Sequence, residues 1–144
     1  MNQSSCKRHG CRCLFCILLL AISGCGNDSR RQQLEGTVKL DGEPLAEGSI
    51  MFIPQSGTSG PSAGGPIKEG RFSIESERGT FAGKFLVRVT ATHKTGRKIR
   101  DPDSGVMIDE EVEIIPARYN RQSELTVDVQ ENEMKPFDFL LRSK

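Results

Sequence analysis

The chain has 144 residues, with 20 lysines and arginines against 19 aspartates and glutamates, no tryptophan, one tyrosine and seven phenylalanines. A balance this close to neutral excludes the global basic bias of a nucleic-acid-binding protein. The shortage of tryptophan and tyrosine argues against a polysaccharide module built on exposed aromatic platforms.

In chain order, the first feature is a leader. Lys7, Arg8 and Arg12 form a basic n-region, Leu14 to Ile22 an apolar h-region, and small residues follow. Nine residues of helix would measure only about 13 Å against a hydrocarbon core of roughly 30 Å, too short for a stable span. The run closes on Ile22-Ser23-Gly24-Cys25, which resembles the bacterial lipobox, with Ile22 where leucine is commoner. The resemblance implies cleavage between Gly24 and Cys25, a diacylglyceryl group on the Cys25 sulfur, and a further acyl chain, such as palmitate, on the new amine. Two or three acyl chains anchor far more durably than one, at roughly 0.8 kcal/mol per buried methylene. The expected organisation is therefore a signal peptide over 1–24, a lipidated polar tether over 25–33 and one domain over 34–144. That places the protein in a bacterial cell envelope, on the periplasmic face or the cell surface, with the lipid bilayer as its first partner.

Cleavage changes the composition. Cys6, Cys11, Cys13 and Cys16 leave with the leader, so Cys25 stands alone and no intrachain disulfide can form. Three of the twenty basic residues precede Cys25 and none of the nineteen acids does, which leaves seventeen against nineteen and a net charge of −2.

Beyond the tether the hydrophobic period is two. Leu34, Gly36, Val38 and Leu40 alternate with polar residues and end at Asp41-Gly42, a strand entering a hairpin turn. Ser49 to Ile53 is apolar on both sides and predicts a more buried strand. Gln55 to Pro66 predicts a loop. Ile67 to Ile74 predicts a short hairpin turning at Glu69-Gly70, with Phe72 and Ile74 inward. Phe85, Val87, Val89 and Ala91 define the clearest strand; a long polar stretch runs from His93 to about Glu110; Val112 to Ile115, Leu125 to Val129 and Phe137 to Leu141 complete the set. Glycine or proline interrupts nearly every candidate helix. About seven short strands predict an all-β antiparallel sandwich.

Leu34-Glu35-Gly36-Thr37-Val38, Asp41 to Leu45, Gly48 to Phe52, Gly70 to Ile74, Gly83 to Val89, Ile115 to Asn120, Ser123 to Val129 and Phe137 to Leu141 together resemble the carboxypeptidase regulatory-like, or transthyretin-like, sandwich of small bacterial lipoproteins. The resemblance implies an accessory or adhesion module without catalysis. Read from the residues, Gly36 marks close approach of a neighbouring strand or a bulge. Tyr119 suits a phenol hydrogen-bonded to backbone at a corner of the sandwich. Val38, Leu40, Phe137 and Phe139 take the inward phase, which turns Lys39 and Asp138 to solvent.

Candidate chemistry concentrates in the polar stretch. Lys94, Arg97, Lys98 and Arg100 form a basic cluster, a binding patch for an envelope protein or an anionic envelope component, although neighbouring acids are placed to neutralise it. Asp101, Asp103 and Asp109 are a calcium candidate, but an EF-hand count from Asp101 meets Val106 at the sixth place and Val112 at the twelfth. His93 is the sole histidine after Cys25, and no Gly-x-Ser-x-Gly elbow is present. The sequence thus points to a binding or envelope-assembly module with no cofactor. The alternative is a hydrolase or metal-dependent enzyme using the Asp101 to Glu111 segment.

Overall fold

The computed structural model describes residues 31–132 and 135–144. It is all-β, with ten strands and two single-turn 3₁₀ segments, Ser76–Arg78 and Ala117–Tyr119. The strands are β1 (Leu34–Leu40), β2 (Glu43–Pro44), β3 (Glu47–Pro54), β4 (Ala63–Lys68), β5 (Arg71–Ile74), β6 (Gly83–Thr90), β7 (Thr92–Arg100), β8 (Met107–Glu113), β9 (Thr126–Val129) and β10 (Phe137–Leu141). Their main sheet runs β10-β1-β5-β4-β3-β6-β9 with β2 beside β1, while β7 and β8 pair only with each other.

The main sheet is folded on itself. Its β4–β5 ladder consists of the single pair Lys68↔Arg71, so the two strands part immediately after their turn. On one side lie β10, β1 and β5; on the other, β4, β3, β6 and β9. In a flat sheet β3 and β10, four strands apart, would be separated by roughly 19 Å. Instead the Phe52 ring on β3 meets Phe137 and Phe139 on β10 at 5.9 and 6.4 Å, and Phe72 on β5 at 5.9 Å. These rings and the buried aliphatics Leu34, Val38, Ile50, Ile67, Ile74, Val87, Val89 and Leu141 form one core between the layers.

The expected alternations at β1, β5, β6, β9 and β10 are present, and Phe72 and Ile74 point inward. Both predicted tight turns use left-handed backbone, at Asp41-Gly42 (φ 52° and 92°) and Glu69-Gly70 (φ 50° and 72°), as two-residue hairpin turns require. Gly36 lies where a Cβ would stand 2.0 Å from the carbonyl oxygen of Phe137, so β10 can approach only a glycine there. Lys39 and Asp138 are exposed, and Thr37 Oγ1 donates to Asp138 Oδ1 at 2.6 Å.

Several expectations are corrected. The β1–β10 ladder is parallel, not antiparallel; the two strands are far apart in sequence, so no tight turn dictates their direction. The expected loop over 55–66 already contains β4 from Ala63, with Pro66 in the strand. Proline is tolerated because, apart from Lys68, β4 is paired along one side only, with β3. Met51 is 47% exposed while Ile50 and Phe52 are buried, so β3 buries one face rather than two. The strand expected from Val112 to Ile115 begins instead at Met107 and ends at Glu113 as β8, which pairs with β7 to make the polar stretch after His93 a two-stranded hairpin extension.

The first described residues fix the polarity of the molecule. Gln32, expected in the tether, is buried and bridges Thr80, with backbone N to Thr80 O at 2.6 Å, and its Oε1 accepts the Asn132 amide at 3.0 Å. From that end β6 runs eight residues, about 26 Å, to Thr90. The β7–β8 hairpin begins there, at the opposite pole. The same pole holds the ends of β1 and β10, where Asp41 Oδ1 accepts the Ser143 amide at 2.9 Å and Arg118 donates to the Arg142 carbonyl.

Candidate functional site

The hairpin is built from charge. β7 carries Lys94, Arg97, Lys98 and Arg100, and β8 carries Asp109, Glu110, Glu111 and Glu113. Antiparallel pairing sets the two series side by side, with Lys94 opposite Glu111 and Lys98 opposite Asp109. Between those pairs β7 has three residues, Thr95, Gly96 and Arg97, against Glu110 alone. The extra two residues preserve the alternation, so Lys94 and Lys98 emerge on one face. Both reach Asp109: Lys98 Nζ lies 2.5 Å from Oδ1 and Lys94 Nζ 3.1 Å from Oδ2.

Hydrogen bonds from Lys98 and then Lys94 hold the Asp109 carboxyl below its ordinary range, and Asp109 in turn raises Lys94. On the other face Arg97 Nε lies 3.3 Å from Glu110 Oε2, which also accepts Thr95 Oγ1 at 2.6 Å. The proposed basic patch is therefore split: Lys94, Lys98 and Arg100 share one face, and Arg97 is on the reverse. Arg100 stands opposite Met107 and, among the described residues, makes no ion pair. These pairs are solvent-exposed, a setting in which ion pairs contribute little to stability; they define register more than they stabilise it.

Asp101 closes the tip. Its Oδ1 accepts the Ser104 amide and hydroxyl, both at 2.7 Å, and the Asp103 amide at 3.2 Å. The two Ser104 bonds lower the Asp101 carboxyl below its ordinary value. Asp101 and Asp103 are thus turn residues, while Asp109 is committed to two lysines. Among the described residues no group of three histidine, cysteine, aspartate or glutamate side chains gathers to hold a metal, so Asp101, Asp103 and Asp109 are not brought together as ligands.

At the root, Glu113 Oε2 accepts Asn120 Nδ2 at 2.8 Å, and the Asn120 carbonyl accepts Arg88 Nε at 3.1 Å. Beside it the Arg118 guanidinium lies 4.9 Å from the Tyr119 ring centre. The Arg118 side chain, and after it the Arg142 backbone amide, hold the Tyr119 phenol below its ordinary value.

Sequence reasoning missed the hairpin's apolar side. Of eight large apolar residues exposed among the described residues, six lie on the hairpin or directly after it: Ile99, Val106, Met107, Ile108, Val112 and Ile114, with Met107 opposite Arg100 on the charged face. Ile108, Val112 and Ile114 alternate with Asp109, Glu111 and Glu113, and Ile99 pairs across from Ile108. Together with Arg97 and Glu110 they make an apolar stripe on one face, the charged lattice of Asp109 being on the other. The alternation was readable, but the acids drew the eye to charge. His93 is exposed on β7, across from Val112. Elsewhere, a shallow open depression on the outer sheet face is lined by Glu35, Thr37, Lys68 and Arg71. Gly24 and Cys25 lie outside the described residues, in which no helix is long and apolar enough to cross a membrane.

Fold and site together define an all-β domain of two layers with a projecting two-stranded arm. No protein-family model matches the sequence, and no curated protein matches it. A structural likeness exists to a 9R-lipoxygenase from Cyanothece PCC8801, at 16% identity and a TM-score of 0.35; it covers 80% of this chain and 16% of the lipoxygenase chain. At that score it bears neither on fold nor on activity.

Proposed function

We propose that the chain is a lipid-anchored protein of the bacterial envelope whose transthyretin-like sandwich is a non-catalytic binding module, with the β7–β8 hairpin as its contact arm. The observation that carries the reading is the placement of the hairpin. It stands at the pole opposite Gln32, and it holds most of the large apolar side chains exposed among the described residues. The seven steps from Cys25 to Gln32 reach at most about 25 Å, so an anchor at Cys25 holds the Gln32 pole next to the bilayer and turns the arm away from it. That orientation, together with four cations outnumbered by six acids over 92–113, favours a protein partner over the headgroups of the anchoring membrane. The non-catalytic part of the reading is supported by His93, which pairs across from an apolar residue and not a carboxylate.

The test of the anchor is mass spectrometry of the protein recovered from cell membranes, beside a Cys25→Ser variant. The wild type is expected as an acylated chain beginning at Cys25, and the variant as an unacylated one. An unacylated wild-type chain retaining residues 1–24 would overturn the lipoprotein reading.

A further inference from the structure

We infer that the partner of the arm is a second copy of the same chain, the two hairpins stacking through the face that bears Ile99, Ile108 and Val112. The inference rests on the arm being a contact surface and names what it contacts.

The argument begins with the charge of each strand. β7 carries four cations and no acid, and β8 carries four acids and no cation. The two strands are consequently balanced against each other and polarised across the width of the hairpin, with Asp101 and Asp103 adding two acids at the tip. A uniformly charged polymer would meet one attractive and one repulsive strand. A second hairpin turned about a two-fold axis parallel to the strands presents its β8 over β7 and its β7 over β8, and every strand then faces its opposite. Rotation about an axis perpendicular to the strands would place β7 on β7 and β8 on β8, setting like charges together.

The apolar residues fit the same arrangement. Ile99 and Ile108 are cross-strand partners, so the parallel axis stacks Ile99 of each copy on Ile108 of the other. His93 and Val112 are likewise partners, and Arg97 and Glu110 sit beside each other on this face. Arg97 of each copy would then approach Glu110 of the other while keeping its own. Ile99, Ile108 and Val112 are 37%, 41% and 44% exposed, which leaves apolar surface on this face open to a partner. On the opposite face Asp109 is already committed to Lys94 and Lys98.

The axis also suits the geometry of attachment. A two-fold along the strands keeps both hairpins pointing the same way, so both Gln32 poles lie on one side of the pair, as two copies in one membrane need. A ribbon about 30 Å long and 10 Å wide covers roughly 300 Å² per copy, which places the contact in the weak, transient class. Confinement to one surface raises the effective concentration and compensates.

Sedimentation of the full chain in density-matched detergent, up to about 200 µM, tests the inference with two variants, Ile99→Lys and Ile108→Asp. The wild type is expected to self-associate and each variant to sediment as a monomer, with at least a tenfold weaker association. Mixing the variants should restore a heterodimer, because lysine at 99 meets aspartate at 108 while the other Ile99–Ile108 pair remains apolar. Thermal unfolding of both variants should stay close to wild type, since both side chains are exposed; a conservative Ile108→Thr serves where Ile108→Asp does not fold. A wild type monomeric throughout, a dimer that persists in both variants, or a mixture that fails to associate overturns the inference. Photocrosslinking from position 112 in intact cells separates it from the broader reading: a product of twice the chain's mass supports self-association. A product of another mass overturns self-association and keeps the arm, and no product removes both.

Discussion

Glu113 Oε1 accepts the amide of Ala91 at 3.0 Å, so the last residue of β8 is tied to the residue at which β6 passes into β7. The same oxygen accepts the Ile115 amide at 2.9 Å. One carboxylate thereby satisfies the donors on both sides of the hairpin root, where the ladder stops and the next backbone partner is Ile114 N to Ala91 O at 2.9 Å. Glu113→Ala strands these donors and should cost about 1–3 kcal/mol, read as a fall of several degrees in Tm. Glu113→Gln keeps an acceptor and should lose less. Equal stability in all three proteins would show that the root is held by something else.

Gly36→Ala is expected to be the most damaging single methyl in β1. The added carbon would stand 2.0 Å from the Phe137 carbonyl oxygen, which is backbone and cannot swing aside. Either β10 withdraws, uncovering Phe139 and Leu141, or β1 shifts its pairing with β5. Overpacking of this kind costs about 1–3 kcal/mol or more. Chemical denaturation with a midpoint unchanged from wild type would contradict the placement of β10.

Acid should loosen the arm before the sandwich. Asp109 is depressed by Lys98 and Lys94, and Asp101 by Ser104. A depressed carboxyl contributes stability that is present above its ordinary value of 3.8 and is lost as pH falls through the lower, folded value. Lys94 is raised, so its contribution is present below 10.5 and is lost only at higher pH. The arm should therefore behave uniformly from about pH 5 to 10 and exchange its amides faster near pH 3. Asp109→Asn should keep only the acid response that Asp101 supplies at the tip. A wild-type hairpin whose exchange pattern, corrected for intrinsic rates, is the same at pH 3 and 7 would refute the assignment.

How much of this was legible depended on whether a residue's role was recorded as apolar periodicity. β1, β5, β6 and β10 each bury one face, so Val38, Phe72, Val87 and Phe139 recur at every second place. β7 and β8 are wet on both faces, and cross-strand charge replaces that signal; their residues read as a polar stretch. Lys94, Arg97, Lys98 and Arg100 were visible as a cluster, but that Arg97 takes the reverse face follows from period-two alternation only once the stretch is known to be a strand. Gln32 looked like tether because a polar side chain buried by a distant partner leaves no local pattern. Glu113 was hidden among three other acids, its role fixed by Ala91, 22 residues away.

Calcium should have no specific effect. Among the described residues no three-carboxylate group forms, and the best oxygens at the tip are occupied by Ser104 and Asp103 amides. Titration to millimolar calcium should leave Tm unchanged. A saturable rise, which mass action requires of any ion that binds only the folded state, would restore the metal-dependent reading.

The bridge between Gln32 and Thr80 has a mechanical consequence. Load applied between residue 32 and the hairpin runs along the strands, because the two points lie at opposite ends of β1 and β6. The rungs joining β1 to β5 and β10 are then sheared together instead of being peeled one after another. Stretching a single molecule from residue 31 to the hairpin tip should therefore meet a higher rupture force than pulling β9 sideways from β6. Equal forces in the two directions would count against this route of load. A domain held at one pole and pulled at the other would resist along the axis on which its attachment is strained.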